Sequence, residues 1–288
     1  MPTLYVVATP IGNLSDMTPR AIETLQNCGL IAAEDTRVTR KLLTHFDIKT
    51  PLISCHRHNE ARRAEESIAR MLDEGIDVAL TSDAGTPAVS DPGFMLVHAA
   101  WEAGICVVPI CGASAVTAAL SAGGFDAREF AFYGFLPREK GALDDKLRAI
   151  VKAGVPVAVV YESPHRVIAL LERVVATLPG ALVAVCCDLS KFYELIERGE
   201  AGAVLERLKA NPNVAKGEYC VVMDLRGVTT EEGKKGPAAE SAELALLSHM
   251  LEGMGLNDAA QQAVQGGFPR NEVYRAKLKV KALFPSPF

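Results

Sequence analysis

Short apolar runs rich in β-branched residues alternate with longer stretches of helical periodicity along most of the chain, a rhythm that predicts strand–helix units. Leu4–Thr9 reads as the first strand. Thr18-Pro19 then supplies an N-cap and a first-turn proline for a helix over Pro19–Cys28, which Gly29 stops. Leu30–Ala33 is a second strand and Arg37–His45 a second helix. Asn59–Glu74 places Ala61, Ala64, Ile68 and Met71-Leu72 on one face and charge on the other. Asp77–Thr81 and Ile105–Pro109 are further strands, with a helix Gly93–Ala103 between them that Asp91-Pro92 is expected to cap. Strands separated by helices imply a mainly parallel sheet.

The pattern resets at the glycines of Ser121–Asp126. Beyond them come strand Phe130–Gly134, helix Glu139–Lys152, strand Val155–Tyr161, helix Pro164–Thr177 and strand Ala181–Cys187. An alternating stretch Phe192–Arg198, helix Ala201–Ala210 and strand Glu218–Leu225 follow, and their closer strand spacing predicts a mixed sheet. Thr229–Glu240 is polar and reads as a linker. Ala242–Met250, Asp258–Val264 and Arg270–Leu283 read as three helices. The expected layout is an N-terminal α/β domain over 1–120, a second α/β domain over 121–228, a linker over 229–240 and a helical extension over 241–288.

Composition narrows the class. With 49% hydrophobic and 23% charged residues the chain is a folded globular protein. Its net charge of −5 means that any nucleic-acid site has to be a local basic patch on an acidic body. The seven cysteines form no CxxC pair and most sit in apolar runs, which fits a reducing cytoplasm better than a disulfide frame. Neither a leader nor a membrane span is expected from the pattern.

Absent motifs exclude further classes. There is no GxxxxGK[ST], and the first strand runs into Ala8-Thr9-Pro10-Ile11-Gly12-Asn13 where a dinucleotide fingerprint would need GxGxxG. No HExxH or metal-spaced Cys/His cluster occurs, and the pair His56 and His58 reads better as an exposed loop or substrate-edge pair, so no metal is expected.

Three turn-forming loops fall at strand ends: Pro10–Asn13, Ser82–Gly93 and Cys111–Ala115. In open α/β sheets that is where ligands bind. The central loop, Ser82-Asp83-Ala84-Gly85-Thr86-Pro87-Ala88-Val89-Ser90-Asp91-Pro92-Gly93, is expected to present free backbone N–H and C=O groups. Its structural alternative is a pair of β-turns ahead of a helix cap, and that of Gly112–Ala115 is a small-residue helix start. In the second half Tyr161-Glu162-Ser163-Pro164-His165-Arg166 ends a strand, with Ser163 read as N-cap and Pro164 as the first helical residue. Glu162 and Arg166 suit either a plain ion pair or a functional role. Asp188–Lys191 and Lys216–Tyr219 are further polar clusters flanking strands.

Taken in order, Ala8–Asn13, Ala33-Glu34-Asp35-Thr36-Arg37, Ser82–Gly93, Tyr161–Arg166 and Lys216-Gly217-Glu218 closely resemble the ribosomal RNA small subunit methyltransferase I family. That family is similar to the uroporphyrinogen and precorrin methylases and to diphthine synthase, and the resemblance covers about residues 3–227. It implies a two-domain α/β tetrapyrrole-methylase-like fold, usually homodimeric, that binds S-adenosylmethionine between its domains and methylates the 2′-hydroxyl of a cytidine in the decoding region of 16S rRNA. Carried over by position, it assigns Pro10 and Gly12 to the first cofactor loop, Ser82, Asp83, Ala84, Gly85, Thr86 and Val89 to the central one, Ser114 and Ala115 to the third, and Tyr161 with Glu162 to the far side of the cleft. The chain departs from the family at Gly112-Ala113-Ser114-Ala115, where relatives often have Gly-Pro-Ser-Ala, and at Asp188-Leu189-Ser190-Lys191, where they commonly have Glu-Leu-Thr-Lys.

A ribose hydroxyl is a poor nucleophile, so a base is expected beside it. Glu34, Asp35 and Glu162 are the leading candidates, with His58 and Glu60 behind them; for Glu34 and Asp35 the alternative is capping of the helix that follows. Candidate RNA contacts are Arg37, Arg40, Lys41, Arg57, Arg62, Arg166 and Arg275, which read equally well as solvated helix faces. The expected partner is 16S rRNA or the small ribosomal subunit, and the rival reading is methylation of a tetrapyrrole or other small metabolite.

Overall fold

The computed structural model describes residues 1–228 and 241–283; the linker predicted over 229–240 lies outside the described residues. The chain divides into two compact units, Met1–Thr229 and Thr230–Phe288.

In the first unit β1 (Thr3–Val7) runs through a 3-10 turn at Leu14–Asp16 into α1 (Pro19–Asn27), β2 (Leu30–Ala33), α2 (Thr36–His45), β3 (Leu52–Ser54), α3 (Glu60–Glu74), β4 (Val78–Thr81), α4 (Phe94–Glu102) and β5 (Cys106–Ile110). The five strands form a parallel sheet in the order β3-β2-β4-β1-β5. Its pleat sends Leu4, Leu30, Ala32 and Leu80 to one face, against Ala64 and Met71 of α3 and Leu96 and Ala100 of α4. Val7, Ile31 and Ala79 go to the other, against Ala21 and Leu25 of α1 and Leu43 of α2. Each fully buried leucine stabilises such a layer by about 1.5–3 kcal/mol. From β1 the chain turns towards β2 and from the adjacent β4 it turns the opposite way towards β5, which opens a crevice at their carboxyl ends.

The second sheet is built from β6 (Phe130–Phe135), β7 (Val157–Glu162), β8 (Leu182–Cys187), β9 (Leu195–Glu200) and β10 (Tyr219–Asp224), in the order β6-β7-β10-β8-β9. β6 and β7 are parallel and the other pairs antiparallel, so the sheet is mixed, as expected. Interleaved with the strands are α5 (Ala115–Gly123), α6 (Lys140–Lys152), α7 (Val167–Thr177) and α8 (Ala201–Ala210). Leu147, Leu171 and Val204 of α6–α8 pack on one face, while Val116 and Ala119 of α5 pack on the other with Val159, Ala184 and Val222. The register of β6 against β7 shifts between Phe132 and Phe135, and Gly134 in that bulge has φ 61°.

Two expected helix starts are corrected. Asp91-Pro92 does not cap α4; its N-cap is Gly93, and the free N–H groups of Gly93 and Met95 donate to the buried Glu60 carboxylate at 2.8 and 2.7 Å. Ser163 does not cap α7 either: residues 164–166 form a turn and the helix starts at Val167.

The second unit packs α9 (Ala242–Leu251), α10 (Leu256–Gln265) and α11 (Arg270–Leu283) around Leu246, Ala259, Val273 and Val280. Ser241 caps α9 by accepting from the Leu244 N–H at 3.3 Å. Among the described residues no helix is long and apolar enough to cross a membrane.

Candidate functional site

The first two loops at the carboxyl ends of the first sheet are zipped together. Thr9 N–H donates to the Gly85 carbonyl at 2.9 Å and Gly85 N–H donates back to Thr9 at 3.0 Å, an antiparallel bridge between the loops after β1 and β4. Gly85 sits at φ 76°, where a side chain is strained. The buried Ser82 hydroxyl donates to the Ala84 and Gly85 carbonyls at 3.3 Å. The Thr86 hydroxyl ties the central loop to the third one through the Ala113 carbonyl at 3.2 Å. The expectation of a freely presented backbone is therefore corrected at Gly85, whose N–H and C=O are both taken.

These loops face a cavity of about 350 Å³ whose other wall is the second sheet, a size usual for small-molecule sites. Of the expected cofactor positions, Ala84, Gly85, Thr86, Val89, Ser114, Ala115 and Tyr161 line it. Pro10, Gly12, Ser82 and Asp83 do not. Ser82 works behind the lining through the hydrogen bonds above. Gly12 meets the second half instead: a Cβ there would run into the Lys191 side chain and lie 3.2 Å from the Leu189 carbonyl. The 188–191 loop, with Asp188 and Ser190 at positive φ, is further joined to the first half by a Ser190 hydroxyl–Asp16 carboxylate hydrogen bond. Cavity residues that sequence reasoning missed include Ile11, Asp91, Phe135, Cys186, Glu218 and Cys220. Ile11, Asp91 and Glu218 belong to loops and polar clusters already singled out, whereas Cys186 and Cys220 come from strands read only as core.

Burial governs the chemistry of the lining. It pushes the thiols of Cys186 and Cys220, paired across β8 and β10, up to about 11 and about 12, and the Tyr161 phenol up to about 12. At neutral pH all three are protonated, and none is a nucleophile or a base. Glu162 is different. Its side chain is 1% exposed, and Oε1 accepts the Ser163 N–H at 2.8 Å. Oε2 lies 3.2 Å from Arg166 Nη2 yet has no hydrogen-bond partner among the described residues. Glu162 thus brings a buried carboxylate, ion-paired with Arg166, to the cavity wall.

The other candidate bases lie elsewhere. Asp35 caps α2, accepting from the Arg37 N–H at 2.8 Å, and its hydrogen bond to the Arg37 side chain holds the carboxyl down at about 2. Glu34 accepts from the Asp83 N–H at 3.3 Å, and Asp83 accepts from the Asp35 N–H at 3.0 Å. Neither Glu34 nor Asp35 lines the cavity. Glu60 is occupied with α4. His56 and His58 sit in a turn, not on a strand, with the His58 N–H 3.2 Å from the His56 Nδ1. Among the described residues no His/Cys/Asp/Glu group has the arrangement of a metal site.

Burial raises the Glu34 carboxyl above its ordinary range, helped by Asp91 and Asp83. A raised folded-state value means that the native state holds this proton more tightly than the unfolded chain. Its contribution is thus fully present below the unfolded pKa and is lost as pH rises through the folded one. Glu34→Gln, which can still accept from Asp83, is expected to raise Tm at pH 8 and to match the parent at pH 4 and below. Thermal melts across that range check this; an advantage that grows towards acid would refute it.

Of the expected RNA contacts, Arg37, Arg40, Lys41, Arg57 and Arg62 are exposed, although Arg37 pairs with Asp35 and Arg62 with Glu66, each at 2.6 Å. Arg275 is exposed on α11 of the second unit. Arg166 is turned inward, donating to the Leu136 and Pro137 carbonyls at 3.3 and 3.0 Å, so it holds a loop in place of facing a partner.

Comparison with known proteins places these features in context. Residues 3–205 match the family model of the Tetrapyrrole (Corrin/Porphyrin) Methylases. The chain is 42% identical to the ribosomal RNA small subunit methyltransferase I of Synechocystis sp., covering 98% of this chain and 99% of that one. It is also 42% identical to that of Escherichia coli O157:H7, over 96% and 94% of the two chains. In fold it is similar to a diphthine synthase, with TM-score 0.59 at 14% identity over 80% of this chain and 92% of the other. It is likewise similar to uroporphyrin-III-C-methyltransferase from Thermus thermophilus, with TM-score 0.51 at 19% identity over 78% and 94% of the chains.

Proposed function

Since the chain belongs to the tetrapyrrole (corrin/porphyrin) methylase family, we propose that it transfers a methyl group from S-adenosylmethionine to a ribose 2′-hydroxyl of a cytidine in the decoding region of 16S rRNA. The observation that carries this reading is a donor-sized cavity walled by the three loops of the first sheet on one side and by the buried Glu162 carboxylate on the other. Relatives named for small-subunit rRNA methylation, matched over nearly their whole length, support the acceptor class.

When bound, the sulfonium donor brings its own activation, so the protein's part is alignment and exclusion of water. The zipped loops hold the backbone of Gly85, Thr86 and Ala115 as a fixed wall. The protonated Cys186 and Cys220 form a floor that does not compete for the methyl group. Glu162 would accept the proton of the acceptor hydroxyl, while the donor, when bound, would supply the methyl group and depart as a neutral thioether. The exposed Arg40 and Lys41 of α2 and the exposed Arg57 before α3 are the cations offered to phosphates. The same reading makes the protein a cytoplasmic homodimer that acts on 16S rRNA or the assembled small subunit.

Incubation with labelled methyl donor and either 30S subunits lacking the modification or uroporphyrinogen III is the test. Label at a cytidine ribose in the 30S arm is expected. Label only in the tetrapyrrole arm would establish the rival small-metabolite reading, and label in neither would overturn methyl transfer to both acceptors.

A further inference from the structure

A second cavity, of about 400 Å³, adjoins the first and shares Phe135, Glu162 and Ser163 with it; Arg138 and Arg166 also line it. None of the expected donor-loop positions of the first sheet reaches it. We propose that this cavity is the acceptor-nucleotide subsite, in which Phe135 stacks a splayed-out base and Arg138 holds the adjoining phosphate, bringing the ribose to Glu162.

Four independent features converge on this assignment. Phe135 is 62% exposed although it ends a strand, because the bulge at Gly134 breaks the alternation of β6 and re-aims it. Its ring is held edge-on to Tyr161, with centroids 5.8 Å apart, which leaves a face open for stacking. Arg138 is exposed, and among the described residues no carboxylate lies within ion-pair distance of it, whereas Arg166 is consumed in pinning the Leu136-Pro137 backbone beneath it. Finally, Glu162, its side chain almost wholly buried and its Oε2 held 3.2 Å from Arg166, lines both cavities. An aromatic face, a free guanidinium and a buried proton acceptor in sequence match the base, phosphate and ribose hydroxyl of one single-stranded nucleotide.

The assignment rests on the rRNA reading above, and its test separates the two. Steady-state methylation of unmodified 30S subunits by the full-length protein is measured beside donor binding by calorimetry. Arg138→Ala, which touches only the second cavity, is expected to raise the KM for 30S about tenfold, to lower the salt dependence of that KM by about one counterion, and to leave the donor Kd within about twofold. Phe135→Ala is expected to raise the same KM about tenfold or more, with Phe135→Trp restoring most of the loss. Parent-like 30S kinetics in both alanine variants would overturn the subsite and leave the rRNA reading standing. A donor Kd weakened in proportion by Arg138→Ala would likewise remove the nucleotide assignment. A parent protein that labels no 30S would instead remove the reading on which the subsite rests.

Discussion

Replacing Glu162 with Gln is expected to lower kcat for methyl transfer by about 10²–10⁴-fold, the usual contribution of a positioned general base, with the donor Kd changed by no more than a few-fold. The amide keeps the Oε1 position that accepts the Ser163 N–H at 2.8 Å, so the turn after β7 is preserved. What is lost is the buried Oε2 of the carboxylate, held 3.2 Å from Arg166, as a proton acceptor. Glu162→Asp, with its carboxylate drawn back from the junction of the cavities, should fall between parent and Gln. Single-turnover rates with saturating donor, beside calorimetric donor binding, decide the matter. A Gln variant within threefold of the parent rate would reassign the base.

The largest effect on donor binding is expected at Gly85. Gly85→Val should weaken the donor Kd at least 100-fold, and Gly85→Ala should weaken it less. At φ 76° any side chain costs about 1–2 kcal/mol of left-handed strain. A Cβ here also lies 3.3 Å from Ile11 Cγ2 and 3.7 Å from the Ala113 carbonyl, and the branches of valine extend into both neighbouring loops. Gly75 is the natural control: it has φ 67°, and a Cβ added there would meet nothing within 4 Å, so Gly75→Ala carries strain alone. It should lower Tm and leave donor binding untouched. Equal donor Kd values for Gly85→Val and the parent would show that the central loop does not shape the donor site.

Much of this architecture is legible in the sequence because it rests on local signals. The strand Leu30–Ala33 and the helices Ala201–Ala210 and Arg270–Leu283 occur with the expected bounds, and Thr18-Pro19 caps α1 as its residues suggest. The turn-rich Ser82–Gly93 stretch announces a loop at a strand end through its glycines and prolines, and Ala84, Thr86 and Val89 within it line the cavity. What is not legible depends on distance along the chain. The cap of α4 comes from Glu60, 33 residues before Gly93, and no local pattern announces it. Gly12 looks like a cofactor-loop glycine and is small because Lys191 packs against it. The bulge that frees Phe135 falls at the end of a run, Phe130–Gly134, whose composition reads as an unbroken strand. Cys186 and Cys220 look like plain core in their apolar strands, and only the pairing of β8 with β10 brings them together at the cavity floor.

The bridge between Thr9 and Gly85 has a thermodynamic consequence. Because the two loops already hold each other through a reciprocal pair of amide bonds, little of their conformational entropy remains to be surrendered when a ligand arrives. Association there should resemble a key entering a fixed lock, governed by desolvation of the cavity walls, with a heat-capacity change set by buried apolar area and no added component from loop ordering.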